Sequence, residues 1–401
     1  MQQIISSNLR PSTSESDTPR EARAIDGWPL AALTQLDRQG ARGLVADLTH
    51  AGALTRQAAY VAIACVDLGT PDGFLHRLGV DCVAAEGVGV ALRRRRARDV
   101  IAAAFCVDPS AVPAGFLRAL ARIEEAGAQA PGFDAFARPG TYRVLFDLLR
   151  DDRHGRRANA VRYGKGMRSD IVDAAMALDP ILAWREVLDA TGSPKRVAAA
   201  NAMLAMIRAC LSTSDEEELV TDMRRSLGQS GGALSAFAKR ALERADRLPM
   251  PIPAAEGVRP LRTGADYIDL GKRLCNCAAT KIPEVALGLL AVVEVTHRGT
   301  DGTETAVAVS LTPMIDGRWT VSAVGAYRNR RPPTSVMRDV LRRLRALGAI
   351  IPGPRLDGPY RADLGELLGI YRFRALDDVL HPHGDVEDDD ILAGLEECEL
   401  V

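Results

Sequence analysis

Residues 287–327 read LGLLAVVEVTHRGTDGTETAVAVSLTPMIDGRWTVSAVGAY, and this stretch decides the fold. Residues 287–296 are dense in Val and Leu, and Gly299-Thr300-Asp301-Gly302 supplies a turn. Residues 305–312 then place Val307, Val309 and Leu311 at every second position, the period of a strand with one buried face. Asp316-Gly317 gives a second hairpin signal, and residues 319–327 follow as a third strand. Pro332-Pro333-Thr334 stops that strand and caps a helix whose apolar stripe is Val336, Val340, Leu341 and Leu344. Helix, three-strand antiparallel meander, helix predicts a small α+β domain over residues 263–374, with one sheet face covered.

Upstream, Pro249, Pro251, Pro253 and Pro260 crowd a short stretch that no helix or central strand tolerates, so residues 249–262 are expected to link two domains. Residues 26–248 read as helical almost throughout. Leu30, Leu33 and Leu36, and again Leu117, Leu120 and Ile123, recur at helical spacing. Ser193-Pro194 predicts a helix start ahead of Val197, Met203, Leu204 and Ile207. Ser214 with Glu217 predicts a capping box before Leu219, Val220 and Met223. No fixed period relates these helices, which excludes a repeat solenoid. The fold class is mainly α: a large irregular helical N-terminal domain plus the α+β domain. Polar residues 1–25 read as a disordered tail, and residues 375–401 as an acidic one.

The chain has 401 residues, with 51 Lys+Arg against 52 Asp+Glu, so its total charge announces neither a nucleic-acid nor a membrane partner. Local charge differs. Residues 258–374 hold 18 basic side chains against 11 acidic ones, whereas residues 375–401 hold ten acids and no Arg or Lys. A basic domain is thus followed by a tail able to shield it or to mimic nucleic-acid charge. Only five of the cations are Lys, so an Arg cluster here carries less meaning than it would in a Lys-rich chain. Aromatics at 4% argue against an aromatic-lined sugar or nucleobase platform. The seven cysteines are scattered, four of them among apolar residues, which fits a reducing cytosol better than a disulfide framework. With no signal-peptide pattern at the start and no apolar run near 20 residues, an intracellular, soluble protein with no membrane partner is expected.

Motifs are few. Gly228-Gln229-Ser230-Gly231-Gly232 matches the serine-hydrolase elbow by letter but lies between helices, where that chemistry needs a strand ahead of the Ser. Gly164-Lys165-Gly166 and Gly87-Val88-Gly89 lack the remaining positions of a phosphate loop or dinucleotide turn. Arg93–Arg96 with Arg98 would point around one helical turn, while Arg153, Arg156, Arg157, Arg162, Lys165 and Arg168 suit a loop along a phosphate backbone. Cys275, Cys277, His381 and His383 are the side-chain types of a zinc site at the wrong cysteine spacing. Cys277 with His297 as base is a nucleophile reading that spacing cannot test. No cofactor is expected.

The segment Gly271-Lys272-Arg273-Leu274-Cys275-Asn276-Cys277, the meander, and then Gly325-Ala326-Tyr327-Arg328-Asn329-Arg330-Arg331-Pro332-Pro333 resemble the PcfJ-like domain of conjugative-element and phage proteins. The resemblance covers roughly residues 263–347. It places Cys277 at the family cysteine, Gly325 and Asn329 at its glycine and asparagine, and Asn276 where a His is common. It implies a mobile-element or phage context, with DNA, RNA or another mobile-element protein as partner. The leading expectation is an accessory protein that binds nucleic acid or a nucleoprotein through Arg328, Arg330, Arg331, Arg338, Arg342 and Arg345. The alternatives are a hydrolase or nuclease-like enzyme centred on Cys277 and Asn329, and a protein-interaction scaffold without catalysis. Leu-x-x-Cys at a helix end ahead of a strand is expected to pack Cys277 under the sheet.

Overall fold

The computed structural model describes residues 22–351 apart from 82, 114, 124–133, 214 and 230–231. The chain is mainly α with a small α+β part: 17 α-helices and one four-stranded antiparallel sheet among the described residues. It divides into two compact units, Met1–Asn201 and Ala202–Val401. The acidic stretch 375–401 lies outside the described residues, as does most of the expected N-terminal tail. The last residues of that tail are held: Arg23 donates its N–H to Thr49 C=O at 3.0 Å, and Ile25 is buried.

The first unit is built from short helices. Thr141–Arg150 shows why: Tyr142, Leu145, Phe146 and Leu149 recur at i, i+3, i+4 and i+7, and all are buried. Phe146 stacks on Phe105 at 3.9 Å between ring centroids and meets Phe116 edge-on at 5.3 Å. Ala53–Cys65 is enclosed on nearly all sides, down to Arg56 and Gln57. The stripe at Leu117, Leu120 and Ile123 outruns its helix, Phe116–Leu120, because Ile123 turns into a parallel bridge with Met167.

In the second unit, Asp215 caps Glu216–Ser226 by accepting from Glu217 N–H at 2.9 Å; Ser214, expected in that role, lies outside the described residues. Ala233–Leu242 follows after a turn containing Gly228 and Gly232, both at positive φ. Residues 249–262, expected as a linker, are structured. Leu248 N–H bonds Arg262 C=O at 3.0 Å, Ile252 joins the sheet core, and Val258–Pro260 forms strand β1. Pro260 is tolerated because β1 is an edge strand, where a missing N–H breaks no ladder. The expected three-strand meander is therefore a four-strand sheet, β1, β2 (Ala291–Arg298), β3 (Glu304–Pro313) and β4 (Trp319–Gly325), in that spatial order.

Two helices cover it. On one face Val293, Val295, Val307, Val309, Leu311 and Val321 pack on Val336, Val340 and Leu344 of the Thr334–Ala346 helix. Burying each such side chain contributes about 1.5–3 kcal/mol. On the other face the Gly264–Leu274 helix buries Tyr267, Leu270 and Leu274, and Tyr267 Oη accepts from Val292 N–H at 3.3 Å. Residues 291–295 of β2 are consequently buried on both faces, unlike the single covered face expected, while Ala306, Ala308 and Ser310 of β3 are only half-buried. Gly264 is the contact that admits this helix. A Cβ there would stand 2.3 Å from Glu243 C=O oxygen and 2.6 Å from that of Leu242.

Candidate nucleic-acid interface

The candidate interface begins where β4 ends. Past Gly325 the chain makes a 3-10 turn, Tyr327–Asn329, closed by Ala326 N–H to Arg330 C=O at 2.8 Å and Arg330 N–H to Tyr327 C=O at 3.2 Å. Arg328 and Asn329 both adopt the left-handed region, φ 54° and 56°, a strained conformation for side chains other than glycine. The Arg328 guanidinium lies 5.5 Å from the centre of the exposed Tyr327 ring. Pro332 is buried and Pro333 occupies the position before the helix; Thr334, expected as the cap, is its first helical residue and makes no capping bond.

The Thr334–Ala346 helix then separates its faces. At 100° per residue, Arg338, Arg342 and Arg345 fall within a sector of about 60°. All three are exposed, while Val336, Asp339, Val340 and Leu344 are buried. Arg342 donates to Asp339 at 2.5 Å, yet its side chain stays 79% exposed. Among the described residues, Arg338 and Arg345 have no ion-pair partner. Arg330 and Arg331 are exposed at the approach to the helix, and Arg331 has an interaction of its own. The six arginines expected at this interface are thus all surface residues on two consecutive elements.

Below them sits a carboxylate that sequence reasoning missed. Asp339 Oδ2 is 2.8 Å from His297 Nδ1 and 3.0 Å from Arg343 Nη2, and Oδ1 receives Arg342. Burial alone would raise its pKa; hydrogen bonds from His297, Arg342 and Arg343 outweigh that and hold it down to about 2. A second carboxylate, Glu294, lies on the opposite sheet face. Arg259 Nη2 and Arg273 Nη1 reach it at 2.7 Å each, and these bonds lower its pKa against the opposing effect of burial. Glu294 was missed as well; its signal is a charged residue inside Ala-Val-Val-Glu-Val, which must find a cation once both faces of the strand are covered.

The enzyme candidates separate. Strand alternation puts His297 on the face that carries Asp339, whereas the helix leading to Cys277 packs on the Glu294 face, so the Cys277–His297 pair does not form. Cys277 is exposed and not under the sheet. The reason is the helix ending: Cys275 takes φ 49° and Asn276 N–H returns to Gly271 C=O at 3.0 Å, which sends Leu274 and Ala278 inward and both cysteines outward. Asn329 is exposed too, and the Gly264–Leu274 helix packs against its turn. For zinc, Cys275 and Cys277 are surface residues, and His381 and His383 lie outside the described residues. Among the described residues, no group of three or more His, Cys, Asp or Glu side chains could hold a metal.

The other basic runs are partly occupied, Arg93 and Arg95 donating to main-chain carbonyls. Residues 155–163, expected as a loop, form the helix Gly155–Tyr163, and Arg157 donates to Leu178 C=O at 2.7 Å. Arg93–Arg96 spans the junction of Ala84–Arg94 and Ala97–Ala104 and not one helical turn. Ser230 and Gly231 of the hydrolase-like motif lie outside the described residues. Among the described residues no helix is long and apolar enough to cross a membrane. Comparison with protein-family models, curated proteins and solved structures returns no match for this chain.

Proposed function

We propose that this chain is an accessory protein of a mobile genetic element that binds nucleic acid along the exposed face of the Thr334–Ala346 helix. The observation that carries the reading is the set Arg338, Arg342 and Arg345, turned outward within one narrow sector of a helix whose other face is anchored in the sheet core. Arg328, Arg330 and Arg331 extend the same charge towards the end of β4. Guanidiniums on a fixed helix suit phosphate oxygens, and the helix itself carries no Asn or Gln that would add adenine readout. In this reading binding is to the backbone and independent of sequence. The PcfJ-like resemblance of residues 263–347 supports the mobile-element context.

The test is a fluorescence-anisotropy titration of the full chain against duplex and single-stranded oligonucleotides over a salt series. Replacing Arg338, Arg342 and Arg345 together by Ala should weaken binding alike for unrelated sequences. The salt slope should flatten by about 0.9 per lost duplex phosphate contact, or about 0.7 on a single strand. Unchanged affinity and slope in the folded variant would reject the reading and leave a protein-interaction scaffold.

A further inference from the structure

Five exposed apolar side chains stand at one end of the sheet. Ala291 at the start of β2 pairs with Leu311 near the end of β3, and Pro313 pairs with Trp319 at the start of β4. The residues just before β2 and those in the β3–β4 turn are therefore neighbours at that end. Leu287 and Leu289 are 62% and 59% exposed, Met314 is 40% exposed, and Ile315 at the tip of the turn is fully exposed. Met250, 37% exposed, joins them, because its Sδ lies 3.0 Å from Nε of Arg262, which follows β1 at the same end. Isolated surface apolar residues need no explanation, but a cluster at the tips of adjoining segments marks a docking surface. The turn itself is built firmly. Met314 N–H bonds Arg318 C=O at 2.7 Å, Gly317 takes φ 80°, and Asp316 accepts from Arg318 N–H at 3.0 Å. Ile315 is held out by a hydrogen-bonded loop.

The described chain stops one residue past the parallel bridge of Ile350 with Thr320, near the start of β4. Ile350 N–H bonds Trp319 C=O at 2.8 Å, and Ile350 C=O accepts from Val321 N–H at 3.0 Å, so residue 351 heads in the direction of β4, and the chain beyond it would have to fold back to reach the β3–β4 turn. Pro352 has no N–H to extend that ladder. Beyond it the sequence carries Leu364, Leu367, Leu368 and Tyr371 at i, i+3, i+4 and i+7, the spacing of a one-sided apolar stripe. The residues between Ile351 and Leu364 span up to roughly 40 Å when extended, whereas Trp319 to Ile315 is about 13 Å of chain. A tether of this length gives the stripe an effective concentration on the order of millimolar at the sheet end. We propose that the chain's own segment carrying Leu364, Leu367, Leu368 and Tyr371 docks on the apolar sheet end formed by Leu287, Leu289, Met314 and Ile315.

The test places a photo-crosslinking benzophenone side chain at position 315 of the full chain, with the same group at exposed position 300, in the opposite hairpin, as control. Mass spectrometry of the digested product should find links from position 315 into residues 361–374. Their yield should be independent of protein concentration over a hundredfold range, and position 300 should give none. Leu364→Asp with Leu368→Asp should cut the yield at least tenfold. Links between two copies that grow with concentration would overturn the proposal, making the surface a self-association site. Absence of links into 361–374, or an undiminished yield in the double variant, would overturn it equally.

Discussion

Arginine does opposite work in the two units. In the first, guanidiniums turn inward onto main-chain carbonyls. Arg56 donates to the carbonyls of Arg23 at 2.7 Å and Ala24 at 3.0 Å, Arg95 to Gly79 at 3.0 Å, and Arg122 to Val161 and Arg162 at 3.1 Å each. These carbonyls lie at helix ends and in connecting segments, where short helices leave acceptors unpaired, and a long cation on a flexible stem is a general remedy. On the Thr334–Ala346 helix three of the four arginines turn outward, and that helix ends with its own turn, Leu347 N–H reaching Arg343 C=O at 3.2 Å. The number of arginines in a segment is thus a poor guide to phosphate binding. The number left over after local carbonyls and carboxylates are satisfied is the informative quantity.

The sharpest way to break this contrast is at Arg56. It is 1% exposed, and its Nη2 also donates to Asp134 Oδ1 at 3.0 Å. Arg56→Met keeps much of the stem but strands a carboxylate and two carbonyls in a closed site. The expected loss is about 3–5 kcal/mol of unfolding free energy, or failure to fold. Urea denaturation giving a loss under about 1 kcal/mol would show that the inward arginines are ornamental. Next in size is Gly264→Ala. The added methyl meets main-chain oxygens and no yielding side-chain tip, so about 2 kcal/mol should be lost even though alanine favours a helix.

Much of this was legible in the chain. The hairpin signals at Asp301-Gly302 and Asp316-Gly317 match turns in which Gly302 and Gly317 both take positive φ, at 81° and 80°. The alternation of Val307, Val309 and Leu311 matches their common buried face. Two kinds of feature were not legible. Pro260 hid a strand, because the rule against proline applies to central strands and nothing local says which strand will be an edge. Cys277 went to the surface because one left-handed residue, Cys275, rotates everything after it, and no sequence rule expects a cysteine in that conformation. The Asp339–His297 contact joins residues 42 positions apart. Only the packing of the helix on β2 brings them together.

The two buried carboxylates, one on each sheet face, give the third test. Glu294 and Asp339 both have folded-state pKa values below their unfolded ones, Asp339 at about 2. A group lowered in this way contributes stability above its unfolded pKa, near 4, and loses it as pH falls through the folded value. Stability should therefore be level near neutral pH and fall from about pH 5 towards pH 2. Glu294→Gln should cost about 1–3 kcal/mol at pH 7, with Arg259 and Arg273 left partly solvated, and should flatten part of the acid slope. A wild-type curve that stays level down to pH 3 would mean that these pairs are energetically neutral.

The smallest expected effect on stability is the most informative about function. Arg338, Arg342 and Arg345 make no buried contact of the kind seen at Arg56, and only Arg342 is ion-paired, in an exposed geometry worth at most about 1 kcal/mol. Arg343, half-buried and bonded to Asp339 four residues before it, is the internal control, since it also reaches Glu256 C=O at 3.4 Å. Replacing the three outward arginines by Ala also trades one good helix former for another, so propensity adds little in either direction. The triple variant should stay within about 1 kcal/mol of the parent in urea, while Arg343→Ala alone should cost as much or more. If the triple change instead lost more than about 2 kcal/mol, the strip would belong to the fold. Its charges would then be explained as the inward arginines of the first unit are. A stable triple variant whose nucleic-acid salt slope has collapsed would separate the two uses of arginine in one molecule, because no structural role predicts that pair of readings together.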